Sequence, residues 1–101
     1  MDLAKLKTKQ NEAQDQFELE HEGKKAFIAY KIGKSGNWYL VHTEVPDEWE
    51  GQGVGHKLVR ETLNYLEEMQ VKIIPSCPFV KSFIKDHKAD YAHIVAEGVN
   101  L

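Results

Sequence analysis

A single cysteine, Cys77, is all the thiol chemistry in these 101 residues. One thiol cannot build a disulfide framework, so the fold must rest on its hydrophobic core and is compatible with a reducing compartment. A basic excess is missing too: 13 lysines and arginines stand against 16 acidic residues, for a formal net charge of −3. Without a cationic face the chain has little to offer a phosphate backbone, which argues against unspecific nucleic-acid binding. No apolar run approaches the roughly 20 residues of a membrane span. Met1 to Lys7 also lacks the apolar stretch of a signal peptide. The expectation is a cytoplasmic protein with neither a membrane nor a nucleic-acid partner. The five histidines and one cysteine show no metal-ligand spacing. Nor is there a Gly-x-Ser-x-Gly to present a nucleophilic serine.

What is present is an ordinary globular composition, 42% hydrophobic and 29% charged, at a length that supports one domain and one core. Residues 1–15 are polar, with Leu3 and Leu6 the only sizeable apolar side chains after Met1. They read as a short frayed helix or a disordered stretch ahead of a domain spanning 16–101. Phe17 to His21 alternates apolar and polar residues, as a half-buried strand does. After a turn at Glu22-Gly23-Lys24, Lys25 to Ile32 forms a second strand with Ala26, Ile28, Tyr30 and Ile32 on one face. Trp38 to Val45 is a third, apolar on both faces over its first half and therefore central; Pro46 ends it. Val54, Leu58, Thr62/Leu63, Leu66 and Met69 then recur at helical spacing, and Val71 to Ile74 is a fourth, short strand. A helix between the third and fourth strands implies a parallel βαβ crossover. A second helix starts at Pro78, a residue favoured at the first helical position, and ends near His87. The pattern leaves the conformation of Ala92 to Val95 open. The fold class is α+β: a three-stranded antiparallel meander, a crossover to a fourth strand, and a C-terminal second helix.

Two places carry chemical potential. The first is Glu50-Gly51-Gln52-Gly53-Val54-Gly55-His56-Lys57, between the third strand and the long helix. Glycines at alternate positions are costly unless the backbone turns tightly or something approaches it closely. Amides of a first helical turn lack intrahelical partners and carry the positive end of the helix dipole. The stretch is thus either a structural turn or an anion site, with Gln52, His56 and Lys57 available as side-chain donors. It is not a P-loop, because no Lys-Ser/Thr pair follows the last glycine. Nor does it complete a dinucleotide fingerprint, because His56 stands where the third glycine belongs. The second place is Cys77, at the N-cap of the second helix. It is either a thiol activated by the helix terminus or a small residue filling a gap. His42 reads as a hydrogen-bonded core histidine rather than a base, and His21, His87 and His93 as surface or helix-end residues. Glu44 and Glu48 could act as a base through water, although carboxylates at a strand end are usually only solvated.

The motifs fall in a familiar order. His42-Thr43-Glu44-Val45-Pro46, then Glu50 to Leu58, then Ile74-Pro75-Ser76-Cys77-Pro78-Phe79-Val80 resemble the short, single-domain proteins of the GNAT superfamily of N-acetyltransferases. The likeness covers residues 17–91. The superfamily's loop pattern, Arg/Gln-x-x-Gly-x-Gly/Ala, falls on Gly53 and Gly55, with Glu50 at its first position, where a carboxylate cannot donate to a phosphate. The resemblance implies a truncated form of the three-layer GNAT-like core, with acetyl-CoA as cofactor and an amine, small molecule or protein, as acetyl acceptor. It implies that the diphosphate of coenzyme A sits on the amides of Gln52 to His56. The binding residues would be Gly51, Gln52, Gly53, Val54, Gly55, His56 and Lys57. The pantetheine arm would run beside Thr43, Glu44 and Val45 toward Ile73-Ile74, and Cys77 would lie near the thiol end as a candidate catalytic residue. Family members carry helices between the first two strands that help to form the acceptor site, and here only Glu22-Gly23-Lys24 joins those strands. The alternative is therefore a non-catalytic module that binds coenzyme A or another protein. A monomer or weak dimer is expected.

Overall fold

Alternating burial decides how the strands lie. In a computed structural model, which describes residues 1–101, Phe17, Leu19, Ala26 and Ile28 share the covered face of a five-stranded sheet. The strands are β1 (Lys9–Asn11), β2 (Gln16–His21), β3 (Lys24–Ile32), β4 (Trp38–Glu44) and β5 (Ile73–Pro75), in that spatial order. The first three pairings are antiparallel, and β4 pairs with β5 in parallel. Three helices follow the meander: α1 (Val54–Glu68), α2 (Pro78–Asp86) and α3 (Lys88–Tyr91). The α+β class, the meander, the crossover and the C-terminal second helix all stand as expected.

Helix α1 is strongly amphipathic and lays Val54, Leu58, Leu63 and Leu66 against β2 and β3. Helix α2 brings Val80, Phe83 and Ile84 against β4 and β5. All of these side chains belong to one buried cluster. The opposite face of the sheet stays open, with Glu20, Lys25, Lys31, Tyr39 and Glu44 exposed. Of the three layers of a full core, two are built here. That follows from the tight turn at Glu22-Gly23, which leaves no chain to cover the second face.

The structure departs from the sequence pattern at the edges. Residues 9–11 form an edge strand where the polar composition suggested a frayed helix or a disordered stretch. Strand β1 pairs with β2 through Lys9–Glu18, Gln10–Phe17 and Asn11–Gln16. Polar clasps hold it: the Thr8 amide and hydroxyl both donate to Glu61 Oε1, at 3.1 and 2.8 Å. Gln10 donates to the Tyr30 hydroxyl and accepts from that of Tyr65. Leu3 and Leu6 pack against the core from the same segment. Three polar residues held by long-range partners leave no period to detect. Ile32 and Met69 continue their apolar patterns but end up 57% and 41% exposed, because each lies past the covered part of its element. Strand β4 has a neighbour on either side, yet only one covered face, and Tyr39 is exposed. The C-terminal stretch makes a one-turn 3-10 helix at Ala92–Ile94. Val95 then bridges Ile73, and the Ala96 amide donates to the Ile73 carbonyl at 2.8 Å.

Glu61 ties the N-terminal segment to α1. Burial pushes its carboxyl up, but hydrogen bonds from the Thr8 hydroxyl and amide and from Lys57 outweigh this and hold it below the ordinary carboxylate range. A carboxylate depressed in the folded state contributes stability above its unfolded pKa and loses it as pH falls through the folded value. Glu61→Gln should cost about 1 kcal/mol at neutral pH in urea unfolding, since hydrogen bonds to a charge on a partly exposed group are at stake. The gap between variant and wild type should close as the pH drops below the carboxylate range. A gap that persists in strong acid would show that Glu61 acts through packing instead.

Candidate functional site

The site is set up by a break in the register of β4. Leu40 lies opposite Tyr30 and His42 opposite Ala29, so Val41 is an extra residue with no partner on β3. Such a bulge re-aims every side chain after it. Trp38 and Leu40 point into the core. Without the extra residue Thr43 would point outward; with it, Thr43 pairs with buried Ile28 and joins the helix-covered side, and Val45 follows two residues on. His42 and Glu44 go to the open face, where they lie 3.2 Å apart. His42 is therefore an exposed residue and not the core histidine that the strand pattern suggested.

Beyond Pro46 a 3-10 turn, Asp47–Trp49, buries the Trp49 ring, and the chain then reverses through the glycines. Gly51 and Gly53 adopt φ of +76° and +81°, a left-handed backbone that costs any residue with a Cβ. Gly53 is the N-cap of α1 and offers no capping side chain. The first bond into the helix runs from the Lys57 amide to the Gly53 carbonyl, at 3.1 Å. The amides of Gly53, Val54, Gly55 and His56 have no acceptor in the protein. They stand where the helix dipole is positive.

These residues line a cleft of about 600 Å³ together with Thr43, Val45, Trp49 and Phe79. Phe79, the second residue of α2, forms its far wall. A Cβ on Gly55 would stand 2.9 Å from Phe79 Cζ and 3.6 Å from Val45 Cγ2, so the helix start is pressed close to both. Cys77 caps α2 from behind that wall. It is 4% exposed, its amide donates to the Leu40 carbonyl at 2.8 Å, and its Sγ lies 3.3 Å from the Thr43 hydroxyl. That hydroxyl is the thiol's one hydrogen-bond partner, and no cation or base touches it.

Of the residues expected to hold a ligand, Thr43, Val45, Gly51, Gly53, Val54, Gly55 and His56 are brought together. Three lie elsewhere. Glu44 is on the open face. The Gln52 side chain donates to the Glu48 carbonyl at 3.0 Å and braces the turn from outside. Lys57 reaches Glu61, at 3.3 Å, on the side of α1 that holds Thr8. Glu50 does line the cleft, the one carboxylate among its lining residues. Trp49 and Phe79 are cleft residues that the sequence pattern did not assign to the site. The available signal was position: one aromatic just before the glycines, the other just after the helix-starting proline.

A family model described as GCN5-related N-acetyl-transferase matches residues 16–94. The chain belongs to that family. Its fold is similar to the solution NMR structure of a GCN5-like protein from Staphylococcus aureus, with a TM-score of 0.69 and 31% identity over 90% of this chain and 88% of that one. In sequence it is similar to Protein NATD1 of Bos taurus, 31% identical over 48 residues, which are 48% of this chain and 42% of that protein. It is also similar to Protein NATD1 of Danio rerio, 24% identical over 82% of this chain and 77% of that protein. The chain thus spans less than half the length of the cattle relative. The strain of the glycine turn can be measured. Gly53→Ala should lower the unfolding free energy by about 1–2 kcal/mol through the left-handed φ alone, since the added Cβ would meet only Leu3 Cδ1, at an ordinary 3.6 Å. A loss within experimental error would show that the turn is free to relax.

Proposed function

We propose that the cleft binds acetyl-CoA and that the protein transfers the acetyl group to an amine. One observation supports this most: four successive amides without acceptors, at an uncapped helix start, face a cleft whose floor is glycine. A diphosphate would accept those hydrogen bonds and gain the dipole term. The residues also suit the rest of the coenzyme. Pairing between β4 and β5 stops at Leu40–Pro75, so β4 runs on without a neighbour there. The pantetheine amides can pair with it as an added strand would. Thr43, Val45 and Phe79 supply a mostly apolar passage toward Cys77.

When bound, acetyl-CoA supplies an acetyl group activated as a thioester. The chain's part is to position the thioester for the amine while water takes the amine's proton. Direct attack by the amine fits better than a route through Cys77, because no base or cation lies within hydrogen-bond reach of that thiol. A second reading is favoured by two observations: no helices flank an acceptor site between β2 and β3, and Glu50 faces the phosphate donors. On that reading the protein binds the coenzyme without turning it over.

Thermal unfolding with and without ligand tests the coenzyme: at 100 times its Kd, coenzyme A should stabilise the protein by about 2.7 kcal/mol. No shift at millimolar ligand would sink both readings. Gly53→Val should weaken binding at least about tenfold, since losing one hydrogen bond to a charged group costs about 1.5–3 kcal/mol and about 1.4 kcal/mol is a factor of ten. Unchanged affinity would make the turn merely structural. For the chemistry, Cys77→Ala should retain acetylation of an accepted amine, and wild-type protein mixed with acetyl-CoA alone should show no added acetyl by intact mass. A stable acetyl adduct that vanishes in the variant would place the cysteine on the pathway.

A further inference from the structure

Between helices α1 and α2, beside the cleft, stands a cluster of basic groups that take part in no ion pair. Helices α1 and α2 meet at the cleft, where Phe79 presses on Gly55. From there aromatic and basic rings follow one another outward. His56 lies 5.8 Å from both Phe79 and Phe83, centroid to centroid. His87 stacks on Phe83 at 4.2 Å, and the Arg60 guanidinium sits 5.3 Å from the centre of the same ring. The His87 ring is fixed by its Nδ1, which donates to the Phe83 carbonyl at 2.8 Å. Its Nε2 edge is left free.

Charge pairing separates the histidines of this cluster from the other three. His21, His42 and His93 each lie against a glutamate, and Lys57, one turn before Glu61, is paired with it. His56, His87 and Arg60 take part in no ion pair, although Asp86 adjoins His87 in sequence. A chain of net charge −3 thus keeps one exposed arginine and two histidines uncompensated around a single phenyl ring. Stacking on the ring holds the guanidinium plane while leaving its donors free, the arrangement that suits bidentate capture of a phosphate.

We propose that Arg60, with His56 and His87, holds a phosphomonoester carried on the same ribose as the diphosphate in the glycine turn, namely the 3′-phosphate of coenzyme A. This rests on the coenzyme reading and adds specificity to it. Arg60 is four residues beyond His56 and therefore about 5–6 Å further along the same face of α1. The two phosphate groups of the nucleotide hang from one five-membered ring, so the second anion must fall within a ribose of the first. The basic cluster begins at His56, which itself lines the cleft.

The test is isothermal titration of wild type, Arg60→Gln and Arg60→Lys with coenzyme A and with 3′-dephospho-coenzyme A. Arg60 is on the surface, so its replacement leaves the core untouched. Wild type should bind coenzyme A about tenfold or more tighter than the dephospho form, one charge-assisted bidentate contact being at stake. Arg60→Gln should bring coenzyme A down to the dephospho affinity and leave that of the dephospho form unchanged. Arg60→Lys, which keeps the charge but not the fork, should retain a reduced preference. Equal wild-type affinities, or an Arg60→Gln that weakens both ligands alike, would overturn the subsite while the coenzyme reading stands. Binding of neither ligand to wild type would bring down the coenzyme reading and the subsite together.

Discussion

Val41 has no partner on β3, and the alternation of β4 reverses there, so that even-numbered residues face the core before it and odd-numbered ones after it. Upstream, Trp38 and Leu40 fill the core like any strand residues. Downstream, Thr43 and Val45 are turned to the same side and become the wall of a cleft. The neighbouring strand cooperates: after Pro75 the chain leaves the sheet, and the Cys77 amide closes on the Leu40 carbonyl. Beyond that bond β4 keeps β3 on one side and has no strand on the other. Bulge, strand end and proline together open a gap at the level where α1 begins. The gap is a product of backbone pairing and owes little to any single side chain.

Helix α1 starts at that gap without the side-chain cap that would stabilise it. A serine or aspartate at the N-cap would satisfy one of the open amides and contribute about 1 kcal/mol. Gly53 supplies instead a left-handed turn and an unobstructed approach. The stability forgone there is recovered in burial: Val54, Leu58, Val59, Leu63 and Leu66 are almost fully buried along the same helix. The core can therefore carry an uncapped terminus. The neighbouring helix takes part, since Phe79 of α2 lines the cleft and Phe83 lies under the Arg60 guanidinium.

Much of this was legible in the residues, and the failures have physical causes. Periods of two and of 3.6 place β2, β3, β4, α1 and α2, because each has one buried face. The glycine turn is legible because alternate glycines are uneconomical without a backbone reason. Strand β1 is not, because its hold comes from Thr8, Gln10 and their partners on distant elements. The bulge is invisible in Val41-His42-Thr43, where every residue suits a strand, and that one-residue slip misplaces His42 and hides the common side of Thr43 and Val45. Gln52, Lys57 and Glu44 are adjacent in sequence to cleft residues but find partners outside it. Proximity along the chain carried them into the expected site, and side-chain direction takes them out.

The central claim is that the open amides at the start of α1 are the coenzyme's anchor. Following backbone amide resonances during a titration with coenzyme A tests it most directly. The account predicts the largest downfield proton shifts at Gly53, Val54, Gly55 and His56, as those groups gain a charged acceptor, with smaller changes along Thr43 to Val45. Saturable binding whose shifts cluster elsewhere, leaving those four amides unmoved, would contradict it.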